Sequence, residues 1–142
     1  MAIIQTLTTS FKVEVAQGLH NFTTGTGDVF KLALYTANAD LGASTTAYTT
    51  AGEVSGTNYS AGGIALTNIT PSFQGTTSYW SFQNATFTNV TLTTNGALIY
   101  NSTNGNRSVA VLNFGVNITK TAQDLVITFP VNDATNAVLR IA

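Results

Sequence analysis

The chain has 142 residues, a net charge of −1, and 44% hydrophobic but only 8% charged residues, where an average soluble protein carries about 25% charged. Five Lys and Arg are too few to build the basic patch that phosphate binding requires. With no cysteine there is no disulfide, thiolate nucleophile or cysteine-held metal. Thr, Asn and Ser make up 49 of the 142 residues, so hydroxyls and amides must supply most of the wettable surface.

This length predicts one domain, 1–142, with a real core. Frequent aromatic and β-branched residues with little net charge are the reverse of a disordered composition. The N-terminus, Met1 to Leu7, lacks the charged start and long apolar run of a signal peptide. No window approaches the roughly 18 apolar residues of a membrane-spanning helix, and no membrane partner is expected.

Apolar residues recur with period two, the mark of half-buried strands. Residues 1–9 read as an N-terminal arm. Phe11 to Val15 alternates apolar and charged residues and predicts a strand. Asp28 to Thr36 sets Phe30, Leu32 and Leu34 against Val29, Lys31, Ala33 and Tyr35. From Ala37 to Ala61 the pattern stops, and one long loop is expected, of a length that usually serves a function or packs on a partner. Gly63 to Thr70, Tyr79 to Gln83, Ala85 to Thr93 and Ala97 to Tyr100 follow as strands. So do Ser108 to Phe114, Val116 to Thr121, Leu125 to Phe129 and Ala137 to Ile141. Asn95-Gly96 between two such runs predicts a hairpin, and Gly62-Gly63 and Asn104-Gly105-Asn106 predict turns. Thr, Asn, Val and Gly are poor helix formers, so little helix is expected. The predicted fold is all-β: a single antiparallel β-sandwich, jelly-roll-like, or a barrel, with one long loop.

Residues able to carry chemistry are sparse. His20 is the only histidine, and no Gly-x-Ser-x-Gly elbow accompanies it, so it reads as a loop or strand-end histidine. The carboxylates Glu14, Asp28, Asp40, Glu53, Asp124 and Asp133 are dispersed and read as solvated turn and strand-end groups. Asp28 beside Gly25-Thr26-Gly27 is the nearest approach to a cation site, but no calcium-loop pattern surrounds it. That glycine run precedes a strand rather than a helix, so it fails as a phosphate-binding turn. Eight Asn-x-Ser/Thr triplets, at Asn21, Asn58, Asn68, Asn84, Asn89, Asn101, Asn106 and Asn117, read as strand faces bearing paired polar residues. Trp80 and Phe82 share the core face of their strand, while Tyr79 and Phe73 are candidate interface anchors. No catalytic, cofactor or metal residue is assigned.

The low charge has a further consequence. Short Thr, Ser and Asn side chains lose little entropy on burial and leave few charges to desolvate, which suits a permanent assembly.

The run Leu34 to Leu41, then Thr46 to Gly56, then Tyr59 to Gly63, resembles a family of small virion proteins from tailed double-stranded DNA bacteriophages. Ala97 to Asn101 with Val109 to Gly115 is similar to that family's second block, and Ile127 to Pro130 with Ala137 to Ile141 to its ending. The resemblance covers Phe30 to Ile141 in order and carries no site residues. It implies a non-enzymatic head decoration (cement) protein, made in the host cytoplasm and placed on the virion's capsid surface. Its implied partners are the major capsid protein and itself, as a trimer. The alternatives are a tail, neck or fibre component and a carbohydrate- or receptor-binding module. Ile3, Ile4, Leu7, Tyr48, Tyr59, Phe73 and Tyr79, with the 46–63 loop, are the candidate interface residues.

Overall fold

A computed structural model describes residues 2–142; Met1, the first residue of the expected arm, lies outside the described residues. The elements are β1 (Thr6–Leu7), α1 (Thr9–Ala16), β2 (Phe30–Tyr35), β3 (Ile64–Ala65), β4 (Asn68–Gln74), β5 (Thr77–Phe82), β6 (Ala85–Asn101), β7 (Arg107–Ile127) and β8 (Leu139–Ile141). They form a five-stranded sheet, β1-β7-β6-β2-β3, and a three-stranded sheet, β4-β5-β8. Every strand pair is antiparallel. The fold is thus an all-β sandwich of open sheets, not the barrel alternative, because each sheet keeps two outer strands.

The register explains how one sheet comes to have two cores. Leu32 lies opposite Ile99, and Ile99 opposite Ala110; Leu34, Ala97 and Leu112 form the next row on the same face. These rows join Phe11, Phe22, Phe30, Trp80, Phe82 and Leu139 in the main core, between the two sheets and α1. Ala33, Leu98 and Val111 form a row on the opposite face. There they meet Ile3, Tyr35, Ala39, Leu41 and Tyr100 in a second core. The predicted long loop supplies that second cover. Between β2 and β3 the chain makes only isolated bridges, and it folds back over the sheet.

Four expectations are corrected. Phe11 to Val15 is not a strand but part of α1. Phe11 and Glu14, three apart, face inward and Val13 is 55% exposed, so the tertiary environment overrides the alternation. The Thr8 hydroxyl caps nothing on α1 and is directed instead to the Ser108 and Val109 carbonyls. Asn95-Gly96 is not a hairpin turn, because β6 runs straight through it. Gly96 is there for close approach: a Cβ would stand 2.6 Å from the Leu112 carbonyl oxygen and 2.9 Å from Ile3. The turn comes at 102–106, with Gly105 and Asn106 at φ 67° and 55°. The three runs expected between Ser108 and Phe129 merge into β7, which absorbs Gly115 (φ 80°) and Ala122 (φ 49°) as local irregularities. Gly63 to Thr70 divides into β3 and the start of β4, so its two ends belong to different sheets.

Gly63 sits at φ 78°, and a Cβ there would overlap the Leu32 carbonyl. Gly63→Ala is therefore expected to cost at least about 2 kcal/mol, read as a lowered urea midpoint at unchanged m-value. Gly25→Ala also meets φ 80° but has open space around the added carbon, and it should cost clearly less.

Candidate functional site

Two polar knots are built around inward-turned carboxylates, Glu14 and Glu53. The first begins at Glu14, which α1 turns inward to 7% exposure. Arg107 Nη1, at the start of β7, donates to Glu14 Oε2 at 2.9 Å, and His20 Nε2 lies 2.9 Å from Glu14 Oε1. Asn101, fully buried at the end of β6, accepts at Oδ1 from the backbone N–H groups of Thr103 and Asn104, both at 3.1 Å. That orients its amide, so Nδ2 donates to Asp28 Oδ2 at 2.7 Å and faces His20 Nδ1 at 3.1 Å. His20 Nδ1 is consequently an acceptor, and the ring hydrogen sits on Nε2, toward Glu14.

His20 is thus a loop histidine, as expected, with its side chain buried among Phe11, Phe22 and Phe30. Both ring nitrogens are engaged within the chain. Glu14 departs from the expected solvated carboxylate: one oxygen accepts from Arg107, 93 residues away, and the other faces His20, six residues on. Asp28 Oδ2 accepts from the Asn101 amide and the Asn21 N–H, and among the described residues no group of three potential metal ligands assembles.

The second knot pins the long loop. Glu53 Oε1 accepts from the Tyr48 hydroxyl at 2.6 Å. Glu53 Oε2 accepts from the Tyr59 hydroxyl and the Gly62 N–H, both at 2.7 Å. Tyr100 donates to the Gly62 carbonyl at 2.7 Å and Tyr35 to the Thr49 carbonyl at 2.6 Å. The Tyr48 and Tyr100 rings stack 4.8 Å apart. Glu53, like Glu14, is corrected from a solvated group to a structural one. Burial is the main cause that pushes the Tyr35 and Tyr59 phenols far above their usual range; at Tyr59 the Leu34 N–H, which donates to the phenol oxygen, opposes it.

The proposed interface residues part company. Ile3 is buried in the second core, and residues 2–8 dock on their own chain instead of projecting as a free arm. Ile4 N–H donates to the Leu41 carbonyl, and Thr6 and Leu7 pair with Val111 and Ala110. Tyr48 and Tyr59 belong to the Glu53 knot. Leu7 and Tyr79 are half-buried, Ile4 is exposed, and Phe73 is 75% exposed near the tip of the β4–β5 hairpin. Trp80 and Phe82 are core, as expected. Asn101 was legible only as one of the Asn-x-Ser/Thr triplets; its role depends on partners about 70 to 80 residues distant. No helix among the described residues is long and apolar enough to cross a membrane.

No known protein family matches the chain, and neither a curated protein nor a solved structure is significantly similar to it.

Asn101→Leu strips partners from His20, Asp28 and two backbone N–H groups at once. It should cost about 3 kcal/mol or more in denaturant unfolding, against under about 0.5 kcal/mol for exposed Asn117→Ala. The tyrosines predict an alkaline limit. Their folded values are raised, so above about pH 10 the unfolded chain loses protons that the folded chain keeps. Their contribution is complete below about pH 10 and declines as pH rises further. Urea titrations from pH 8 to 11.5 should show a plateau and then a fall, shallower in Tyr59→Phe; a flat profile would contradict the burial of these phenols.

Proposed function

We propose that the protein is a non-enzymatic decoration protein of a tailed double-stranded DNA phage head, binding the outer capsid surface as a trimer and bracing neighbouring capsid subunits. The observation that carries the reading is the outer surface. It is rich in hydroxyls and amides and poor in charge, and Ile4, Phe73, Val116 and Val131 stand from it more than half exposed. Such side chains lose little entropy in a contact, and the apolar ones supply its anchors. The sequence blocks that resemble phage virion proteins support the same reading. They coincide with the end of β2 and the pinned loop, the doubly covered end of β6 and first half of β7, and the chain from the end of β7 through β8. Many copies, each touching several capsid subunits, would resist internal pressure by avidity without any strong single contact.

The test is solution mass by light scattering after size exclusion. Three chains of 14.9 kDa give about 45 kDa, the expected result. A ring of six or more copies would move the assignment to a tail or neck component. A monomer would remove self-assembly from the proposal and leave the capsid lattice to organise the copies.

A further inference from the structure

We infer that the cleft between the two sheet edges, beside α1, is the slot that grips the partner lattice, and that its occupant is an extended apolar segment of the major capsid protein carrying a carboxylate. The inference rests on the decoration reading and names its gripping surface.

β1 is an outer strand of the large sheet and β8 an outer strand of the small one. Among the described residues no backbone hydrogen bond joins 2–8 to 128–142. Three adjoining hollows of about 260, 380 and 370 Å³ line this gap. All three touch Leu7; the first two share Arg140 and the last two share Val138. They therefore form one elongated cleft, not three pits. At the helix end its walls are Phe11, Val15, Trp80, Leu139 and Ile141. The free side of an outer strand offers unpaired N–H and C=O groups, so an extended segment gains main-chain bonds as well as apolar contact.

Charge selects the occupant. The chain has five cationic side chains, and two of them, Lys12 and Arg140, line the helix end of the cleft. No Asp or Glu lines any of the three hollows. Glu14, on the same helix as Lys12, is turned inward to Arg107 and His20. Asp133, which feels the Arg140 charge, is held within its own turn by Thr135 and Asn136. Arg140 also donates to the Thr135 carbonyl of that turn, but no carboxylate side chain enters the hollows, so the cleft presents an apolar floor with Lys12 and Arg140 at one end, complementary to apolar residues followed by a carboxylate.

The experiment uses phage heads prepared without this protein and measures co-sedimentation of the full chain, first as wild type. The paired variant Lys12→Glu with Arg140→Glu reverses the charge, and Ile141→Asp spoils a wall residue that is 54% exposed. Asn117→Ala, exposed and outside the cleft, is the control, and a thermal melt of each variant establishes folding. Wild type and Asn117→Ala are expected to saturate the heads, both cleft variants to bind about tenfold or more weakly, and the wild-type affinity to fall with salt. Failure of wild type to bind heads would overturn the decoration reading. Wild-type binding with both cleft variants unimpaired would overturn the slot alone. Loss of self-association in the cleft variants with head binding retained would give the slot to a second copy and overturn the capsid segment as its occupant.

Discussion

The middle of the large sheet is apolar on both faces, and the rest of the molecule is arranged by the need to cover it twice. From Gly96 to Asn101 every residue of β6 is buried, and so is β2 from Leu32 to Tyr35. An antiparallel sheet can leave one face to solvent when that face is polar. Here Ala33, Leu98 and Val111 make the second face apolar, and exposing it would forfeit roughly 25 cal/mol for each Å² of apolar area. One cover is regular: the small sheet and α1. The other is irregular, the loop between β2 and β3 together with the first residues of the chain.

An irregular cover raises a problem that a helix or sheet would not, since its backbone groups need partners. The Glu53 knot answers it. One carboxylate gathers two phenols and a backbone N–H, while Tyr100 and Tyr35 reach loop carbonyls. Tyr35, Tyr48 and Tyr100 bring ring area to the second core and Tyr59 to the main one, and their hydroxyls satisfy the loop. The Glu14 knot does the same work where α1, the 17–28 segment and the β6–β7 turn converge. In both places a charged residue in a charge-poor chain is used inside, which leaves still fewer charges outside.

That internal use of charge bears on function. The hydroxyl- and amide-rich exterior, its scattered apolar residues and the cleft beside α1 are what remain for partners. A scaffold pinned on both faces keeps such a surface preformed, and association then costs less ordering entropy.

The sequence by itself determined the all-β class, most of the strand positions, the long loop, and the core placement of Trp80 and Phe82. Each is written in local pattern: period-two alternation, turn residues, or their prolonged absence. It also placed His20 in a loop. What only the tertiary structure decided was everything dependent on distant partners. Phe11 to Val15 alternates like a strand yet coils into a helix, because Glu14 has Arg107 and His20 to meet inside. Asn95-Gly96 has the composition of a turn yet lies in a strand, because Ile3 and Leu112 press on a glycine that must lack a Cβ. Ile3 looks like a free arm residue and is core, because the second apolar face needs it. Side-chain pattern reports which residues avoid water, but the identity of the covering surface is a property of the assembled chain.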